Sequence, residues 1–455
     1  MERMRPYDHF MILFETEKSP MNIGGLLVFD VPQDRKQEFA QRVRAQLEAA
    51  VPCTVLARRL LASPEHYDTD AWFRISAAEA LRQIQSPVFP AELSDEDLRE
   101  YVAGRGMRPL DLSRAPFEIE ILSQLSGPRC AIYMKSHHCV ADGVGFVSLV
   151  QQLSDQGAAT LLGEPAHANE EPPAPEAWTA MARETFERQE ALRCEAAEKK
   201  ASAEKRLAEF LADPAQRRLP APDMAFGSEF SRERAYRTIS FSLERFRTAA
   251  RSLGASINDI FLATASGALR AYLAKRGELP AAPLISHSVR SIRRQEHGPY
   301  NNWVLSIYPE LATDEPDALE RLRRIRSSMI VEKQRSTIEE DLLDLWDWPY
   351  GARDRRAACS NIAQVEAAIG PASVVLSNVP GPAERLTFAG FPLAANYPVP
   401  IVGPGRFLNI TSRRNADALD MGVMVDAAKV LDADDFLACL SDAFDELALA
   451  AAHQT

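Results

Sequence analysis

Strand-like and helix-like segments alternate in both halves of this 455-residue chain, and a proline-rich, charged stretch separates the halves. In the first half, the apolar run at residues 24–29 suits a buried strand. A helical pattern follows, in which Phe39, Val43 and Leu47 recur every four residues. A second strand-like run at residues 130–135 precedes another helical pattern. Alternation of this kind is typical of α/β domains.

The same alternation begins again in the second half. Residues 239–243 have a strand pattern, a helix is predicted to begin near Ser256, and residues 407–411 with 419–425 are predicted to form a hairpin. Apolar residues spaced along 436–447 indicate a terminal helix. Because 455 residues are more than one hydrophobic core usually organises, we expect two α/β domains.

A change in composition marks the boundary between the halves. The proline-rich sequence EEPPAP at residues 170–175 predicts a break in regular structure, and a charged helical segment follows over about residues 177–211. We therefore predict an N-terminal domain over residues 1–165, a helical connector over 166–225 and a C-terminal domain over 226–455. The alternative for the connector is an ordinary surface helix within one domain.

The charge balance argues against some classes of partner. The chain carries 52 Lys and Arg against 64 Asp and Glu, a formal net charge of −12. A negative protein is poorly suited to binding nucleic acid along its phosphate backbone, or to strong electrostatic attachment to anionic lipid. With 46% hydrophobic and 25% charged residues, the composition is that of a globular protein rather than a disordered one.

The sequence also bears on the location of the protein. No run of apolar residues reaches the roughly 20 needed to cross a bilayer, and the apolar stretch at residues 10–14 is too short for a signal peptide. The six cysteines are scattered without a CxxC pair, which indicates free thiols rather than a disulfide framework or a zinc site. We expect a cytoplasmic protein.

The most informative stretch for chemistry is SHHCVADGVG at residues 136–145, where two histidines end a strand and a carboxylate with glycines precedes a helix. Neighbouring side chains of a strand point to opposite faces, so one of His137 and His138 can face a cavity while the other packs inside. An imidazole with an ordinary pKa of about 6.5 is the natural proton acceptor near neutral pH. Asp142 suits an ion pair that holds the turn, and Gly143 permits tight backbone geometry.

Other interpretations of this stretch are weaker. Metal chelation by both rings is awkward for adjacent strand residues, and no third ligand lies at a helpful spacing. A polar turn with satisfied buried histidines would explain an isolated HH pair, whereas the full HHxxxDG spacing between strand and helix favours a catalytic role. The sequence has no GxSxG, Walker A or GxGxxG pattern, so neither a serine nucleophile nor a phosphate cradle is indicated.

The HHxxxDG pattern resembles the acyltransferase superfamily that includes chloramphenicol acetyltransferases, non-ribosomal peptide condensation domains and wax ester synthase/diacylglycerol acyltransferases. Further segments resemble the bacterial wax ester synthase/diacylglycerol acyltransferase family in particular. In chain order they are PMNIGG at residues 20–25, LDLSRAPFE at 110–118, NDIFLA at 258–263, SHSVR at 286–290, SNVPGP at 377–382, YP at 397–398 and LNIT at 408–411. Together these segments span nearly the whole chain.

Three segments depart from the family pattern. Residues 61–76 only faintly resemble the family's stretch that contains Trp and Asp, and the PLWE-type ending reads APFE at residues 115–118. The TSY-type ending after LNIT reads TSRR at residues 411–414. The departures leave the histidine pair intact and concern the pocket for the acyl acceptor.

The resemblance implies two chloramphenicol-acetyltransferase-like α/β domains with an active-site channel at their interface. It also implies transfer of a fatty acyl group from acyl-coenzyme A to a fatty alcohol or diacylglycerol, with no cofactor or metal beyond that co-substrate. His138, the second histidine of the motif, is implied as the general base. Asp142 is implied to be structural, in an ion pair with Arg290.

The attack on a thioester builds an oxyanion, which needs a hydrogen-bond donor. Candidate donors are Asn258, Ser377 and Asn378, although capping of its helix is an equally good role for Asn258.

The lipid substrates imply peripheral contact with a membrane or a lipid inclusion rather than a spanning helix. Two alternatives stay open. One is an HHxxxDG acyltransferase for another acceptor, such as a short alcohol, a polyketide or an amine. The other is a non-catalytic lipid-binding member of the same fold.

Overall fold

The computed structural model describes residues 2–63, 70–158, 173–195, 197–224, 231–343, 372–403 and 406–453. Within these ranges the chain forms two six-stranded mixed sheets, a three-stranded sheet and the helices that cover them. The architecture is that of a two-domain α/β protein, which confirms the predicted fold class.

Strands make up the framework of both domains. In chain order they are β1 Glu2–Arg3, β2 Asn22–Asp30, β3 Arg58–Leu61, β4 Ala71–Arg74, β5 Ile84–Gln85, β6 Phe117–Leu122, β7 Arg129–His137, β8 Arg234–Ser242, β9 Ser286–Ser291, β10 Val304–Ile307, β11 Val374–Val379, β12 Thr387–Phe388, β13 Phe391–Val399, β14 Leu408–Asn415 and β15 Ala418–Asp426. The first sheet has the order β12-β13-β2-β7-β6-β5, the second sheet the order β10-β9-β11-β14-β15-β8, and the small sheet the order β1-β4-β3.

The helices lie between and outside these sheets. They are α1 Pro6–Leu13, α2 Lys36–Ala50, α3 Ala77–Leu81, α4 Asp95–Gly106, α5 Gly143–Leu153, α6 Asp155–Ala158, α7 Pro175–Glu195, α8 Ala197–Ala212, α9 Leu243–Ser252, α10 Ile257–Arg276, α11 Ala318–Leu343 and α12 Ala433–Ala452. None of them is both long enough and apolar enough to cross a bilayer.

The core of the first domain lies where α2 and α5 cover one face of the first sheet. The predicted apolar stripe of α2 is confirmed, since Phe39, Val43 and Leu47 are all buried against the sheet. On α5, Phe146 and Leu149 are buried in the same core. The 3.6-residue helical period therefore places this face of each helix against the strands.

The second domain packs α9, α10, α11 and α12 on the second sheet. Helix α10 begins at a capping box, in which the side chains of Ser256 and Asp259 each bond the other's backbone N–H. It ends at Gly277, whose φ of 69° suits a residue without a β-carbon. The predicted hairpin is confirmed as the antiparallel pair β14 and β15.

One strand crosses between the domains. Strand β13 belongs by sequence to the C-terminal half, yet it pairs antiparallel with β2 of the first sheet, from Leu393 opposite Phe29 to Val399 opposite Gly24. The predicted division at residues 1–165 and 226–455 did not anticipate this exchange, and those boundaries stay a prediction. The exchange makes the first sheet a product of both halves of the chain.

Buried polar groups join β13 to the second sheet. Asp420 accepts hydrogen bonds from the Asn396 backbone N–H at 2.7 Å and from the Ser240 hydroxyl at 2.6 Å. Arg413 donates to Asn396 Oδ1 at 3.0 Å and lies over the Phe146 ring of α5. The departure TSRR from the family pattern thus supplies a buried contact between the sheets through Arg413.

The predicted connector contains α7 and α8, and part of it lies outside the described residues. Helix α8 packs along α11, where Arg206 pairs with Asp341 at 2.8 Å. After α8, Arg218 forms a forked ion pair with the buried Glu332 of α11. The connector is therefore fastened to the second domain.

Candidate active site

The two motif histidines lie in different surroundings at the end of β7. His137 is the last residue of the strand and is fully buried, whereas His138 lies in the following turn and keeps part of its surface accessible. A split between the two rings was predicted from strand alternation, but His138 lies beyond the end of β7, so the turn sets the direction of its ring. His138 is thus the histidine that a substrate can reach.

A hydrogen bond selects the tautomer of a neutral His137 ring. Its Nδ1 accepts the Cys139 backbone N–H at 3.1 Å, so a neutral ring carries its proton on Nε2. Nε2 lies 3.4 Å from Oε2 of Glu15, which also accepts the Met21 N–H at 2.8 Å. Burial alone would raise the pKa of Glu15, but hydrogen bonding and charge from His137, together with the Met21 N–H, hold that pKa below its ordinary value.

The His138 backbone is held on both sides. Its N–H donates to the Met21 carbonyl at 2.7 Å, and its carbonyl accepts from Nδ2 of Asn302 at 2.7 Å. Burial lowers the pKa of the His138 imidazole below its ordinary value, and the Asp142 carboxylate opposes this shift. Near neutral pH the ring is therefore unprotonated, the state that a general base needs.

Asp142 is saturated with hydrogen bonds. It caps α5 by accepting the Gly145 N–H at 2.8 Å, and the Trp303 N–H donates to its other oxygen at 2.9 Å. Arg293 Nη2 lies 2.9 Å from each of the two oxygens. Every favourable acceptor position of this carboxylate is filled by protein donors, so its contacts are those of a residue that shapes the loop.

The predicted partner of Asp142, Arg290, is wrong. Arg290 bonds Ser336 at 2.6 Å and Glu340 at 2.7 Å, both on α11. The reason is its position inside β9, where the side chain is directed to the helix that covers the sheet. Arg293 lies just after the end of β9, and its side chain reaches Asp142 in the HHxxxDG loop.

The motif glycines are needed for space rather than for an unusual backbone angle. Neither Gly143 nor Gly145 has a positive φ. A β-carbon at Gly143 would lie 2.9 Å from Cγ2 of Val379, and one at Gly145 would lie 2.8 Å from Cβ of Ala141. Gly143 therefore lets the first turn of α5 approach the end of β11.

This approach brings the SNVPGP segment to the motif. Ser377, Asn378 and Val379 end β11, and Val379 is the residue in contact with Gly143. Asn378 Oδ1 accepts the Ser412 hydroxyl at 2.9 Å, which leaves its Nδ2 as a donor. Both Ser377 and Asn378 are half-buried.

Asn258 lies elsewhere in the second domain. It occupies the first turn of α10, and the cap of that helix is Ser256, so the alternative role of Asn258 as the capping residue is wrong. Among the described residues, no hydrogen bond or ion pair joins Asn258 to the HHxxxDG loop.

Residues distant in sequence complete the loop. The segment 298–303 runs beside it, with Asn301 bridging to Ala141 and Asn302 bonded to His138 and Asp8. Burial raises the pKa of Asp8 to about 6, while hydrogen bonds from Asn302 act in the opposite direction. No motif in the sequence pointed to this segment, although two adjacent asparagines before an apolar strand were the available signal.

A cleft opens on the face of β7 opposite to the face that α2 and α5 cover. It is lined by residues of both domains, among them Asn22, Lys135, Val399 and Met424. Among the described residues, no three His, Cys, Asp or Glu side chains gather as ligands for a metal ion.

Comparison with known proteins shows which family the chain resembles. Residues 4–261 match the model of the wax ester synthase/diacylglycerol acyltransferase catalytic domain, and residues 300–448 match the C-terminal domain model of the same proteins. The chain is 28% identical to the O-acyltransferase WSD of Acinetobacter baylyi, over 93% of this chain and 92% of that protein. It is 29% identical to the probable diacylglycerol O-acyltransferase tgs2 of Mycobacterium tuberculosis, over 93% and 94% of the two chains.

Solved structures agree on the fold. The wax ester synthase/diacylglycerol acyltransferase of Marinobacter aquaeolei VT8 superposes with a TM-score of 0.68 at 23% identity, covering 99% of this chain and 100% of that one. The first condensation domain of the calcium-dependent antibiotic synthetase gives a TM-score of 0.60 at 16% identity, covering 99% and 96%. The first of the two family models covers more than half of the sequence by itself, and the chain therefore belongs to the wax ester synthase/diacylglycerol acyltransferase family.

Proposed function

We propose that this protein is an O-acyltransferase that moves a fatty acyl group from acyl-coenzyme A to the hydroxyl of a fatty alcohol or diacylglycerol. Family membership and the names of the relatives support this reaction class. The observation that carries the proposal is the state of His138, a partly accessible imidazole whose pKa burial lowers. A neutral imidazole in reach of a substrate is suited to activating a hydroxyl.

In the proposed reaction His138 removes the proton of the acceptor hydroxyl as its oxygen attacks the thioester carbonyl. The tetrahedral intermediate then expels the thiolate of coenzyme A, and the proton on His138 passes to that sulfur. The products are the ester and free coenzyme A, and no covalent acyl-enzyme is required. Direct transfer needs both substrates bound at once, and it agrees with the predicted channel between the domains.

The oxyanion of the intermediate needs a donor near His138. We propose Ser377 and Asn378 ahead of Asn258, because the end of β11 contacts the first residue of α5 through Val379 and Gly143. Because Asn378 Oδ1 accepts the Ser412 hydroxyl, its Nδ2, which makes no hydrogen bond within the described ranges, is the donor that we propose.

A panel of acceptors tests the reaction. Purified protein is given palmitoyl-coenzyme A with hexadecanol, dioleoylglycerol, butanol or hexadecylamine, and both released thiol and acylated product are measured. Ester formation with hexadecanol or dioleoylglycerol supports the proposal. Product confined to butanol or the amine would assign the protein to another acceptor, and absence of turnover with every acceptor would favour a lipid-binding role.

The base is tested by His138→Ala. We expect turnover to fall by at least about two orders of magnitude, the usual scale for loss of a general base. His287→Ala is a matched control, because His287 is a partly buried histidine bonded to Ser306 inside the second sheet. Equal losses in both variants, or substantial activity in His138→Ala, would remove His138 from the role.

We also propose that the protein acts at the surface of a membrane or lipid inclusion, because its acceptors are lipids. The negative net charge predicts that contact depends on apolar side chains rather than on anionic headgroups. Flotation with neutral vesicles that contain diacylglycerol is expected to carry the protein, and a carbonate wash is expected to release it. Retention after the wash would contradict a peripheral attachment.

A further inference from the structure

The 15–21 loop joins α1 to β2, and its two ends contact the two motif histidines. At one end, Glu15 lies against the His137 ring and accepts the Met21 N–H at 2.8 Å. At the other end, the Met21 carbonyl accepts the His138 N–H at 2.7 Å. Because the paired part of β2 begins one residue after Met21, the position of this carbonyl depends on the loop as well as on the strand.

The middle of the loop is a tight turn. Backbone hydrogen bonds join Thr16 and Ser19 in both directions, at 3.2 and 3.0 Å, and the Ser19 N–H also donates to Thr16 Oγ1 at 3.1 Å. Glu17 and Lys18 are exposed at the tip of the turn, whereas Ser19 is buried. These bonds make the turn a compact unit, so a contact with the Lys18 backbone also restrains its neighbours.

Two contacts with the second half of the chain hold this turn. Arg234, the first residue of β8, donates from Nη2 to the Lys18 carbonyl at 2.8 Å. The Ser19 hydroxyl donates to the Val402 carbonyl at 3.2 Å. A hydrogen bond from a charged guanidinium is stronger than one between neutral groups, so the Arg234 contact is the firmer of the two.

The guanidinium of Arg234 is itself fixed on the second sheet. Arg234 lies opposite Asp426 in the ladder of β8 and β15, and Asp426 accepts the Ser231 N–H at 2.8 Å. Arg234 Nη1 donates to the carbonyls of Ser231 and Glu233, at 2.9 and 2.8 Å. Its contact with the 15–21 loop is therefore made by a donor of fixed orientation and not by a mobile surface charge.

We propose that Arg234 is a positioning residue for the general base, acting from the second domain through the 15–21 loop. Its bond to Lys18 holds the turn, the turn holds Met21, and the Met21 carbonyl holds the backbone of His138. The inference rests on the proposed role of His138 as the base. Misplacement of a catalytic group by about 1 Å can lower a rate by up to about 10²-fold, so the position of the loop affects turnover.

The same loop lines the cleft between the domains. Pro20 lies along this cleft together with Arg234 and Val402. Separation of the domains at the cleft would break the contacts of the turn with the second half of the chain, and Met21 would lose their support. His138 is thus correctly placed only while the two domains are closed on each other.

Arg234→Leu tests the positioning role. We expect kcat to fall about tenfold while KM for both substrates changes less than about threefold, because the base is displaced and substrate binding is not. Arg234→Lys keeps a charged donor for the Lys18 carbonyl and is expected to retain at least about a third of the wild-type kcat.

Arg232→Leu is the matched control. Arg232 pairs with Glu17 of the same turn, but the two side chains are 55% and 79% exposed. Exposed ion pairs contribute little, so we expect kcat to stay within about twofold of the wild type. Equal losses of kcat in Arg232→Leu and Arg234→Leu would overturn the inference.

Amide hydrogen exchange without substrate follows the contact directly. In Arg234→Leu we expect faster exchange in peptides that cover the 15–21 loop and residues 137–143, because both lose support. Faster exchange at residues 231–236 alone would mean a local defect of β8 and would contradict the positioning role. Because no substrate is present, this result is separate from the acceptor panel, which alone decides the proposed function.

Ser19→Ala protects the test from a folding failure of Arg234→Leu. It removes the hydroxyl that bonds Val402, and we expect a stable protein with kcat lowered about threefold and faster exchange at residues 137–143. Ser154→Ala is its control, since Ser154 is a buried serine whose hydroxyl donates to the Gln151 carbonyl after α5. Should Arg234→Leu not fold, wild-type kcat and wild-type exchange in Ser19→Ala would overturn the inference.

Discussion

At the scale of single residues, the carboxylates around the HHxxxDG loop are held in contacts with the protein, whereas the His138 ring is accessible. The Asp142 carboxylate is filled by Arg293 and two backbone N–H groups, and Glu15 is engaged with His137. Of the two motif histidines, His138 is the one with an accessible surface, and burial lowers the pKa of its ring. The proposed general base is therefore the accessible one of two adjacent imidazoles.

The corrected ion pair gives a prediction at this scale. Arg293→Met leaves the buried Asp142 without its cation, and we expect at least a tenfold loss of turnover and a lower melting temperature. Removal of one partner of a buried pair is destabilising by about 3–5 kcal/mol. Arg290→Met is the matched control, because its partner Glu340 lies on α11 away from the loop. A larger loss in Arg290→Met than in Arg293→Met would contradict the observed pairing.

The pH dependence follows from the direction of the His138 shift. The proposed general base is active as the neutral ring, and burial lowers the pKa of His138. Turnover is therefore expected to fall as pH decreases, with the midpoint below the ordinary histidine value of about 6.5. Burial raises the pKa of Asp8 to about 6, so Asp8 titrates in the same range. Profiles of kcat for wild type and Asp8→Asn separate the two groups, and a midpoint above 6.5 in both would contradict the assignment.

At the scale of elements, the site is built where strand ends meet a helix start. Strand β7 delivers the histidines, β11 delivers Ser377 and Asn378, and both end beside the first turn of α5. The close approach depends on the missing side chain at Gly143. The relative position of the proposed base and the proposed oxyanion donors is therefore set by backbone packing between the domains.

This packing predicts a compensating pair of substitutions. Gly143→Ala places a methyl group 2.9 Å from Cγ2 of Val379, and we expect a loss of about 1–3 kcal/mol in the free energy of unfolding together with reduced turnover. The double variant with Val379→Ala provides the missing space and is expected to recover part of both. Denaturant unfolding and turnover of the two single variants and the double variant give the coupling. Additive losses would show that the contact is not the cause.

Periodicity and motifs predicted the elements that carry strong local patterns. The buried faces of α2 and α5 and the β14–β15 hairpin follow from residue spacing alone. Arg293 and Asn302 could not be found in this way, because their partners lie about 150 or more residues away in the chain. Contacts between distant loops leave no local period in a sequence.

At the scale of the whole molecule, the two domains are not independent units. Strand β13 completes the first sheet, and Leu386, Phe388, Phe391 and Leu393 fill the core between that sheet and its helices. The sequence concealed this strand because two prolines interrupt its β pattern. The prolines are tolerated because the neighbouring edge strand β12 is short and pairs only with residues 391–392 of β13.

A split chain tests this interdependence. We expect residues 1–225 expressed alone to be insoluble, since β2 would lack β13, one of its two partner strands, and the core would lack four large apolar side chains. Co-expression with residues 226–455 is expected to restore soluble, active protein. Solubility of each fragment and of the mixture is the measurement, and a soluble 1–225 fragment with cooperative unfolding would show that β13 is dispensable.

The crossing of β13 also sets an order of events during synthesis on the ribosome. Residues of β2 and β7 emerge long before β13, and at 5–20 residues per second the delay from residue 158 to residue 399 is roughly 10–50 s. During that interval β2 of the nascent N-terminal half has an unpaired edge, and the core of the first domain lacks the apolar side chains that the later strands supply. We therefore expect the incomplete sheet to need protection by chaperones during translation, and the yield of folded protein to depend on their supply.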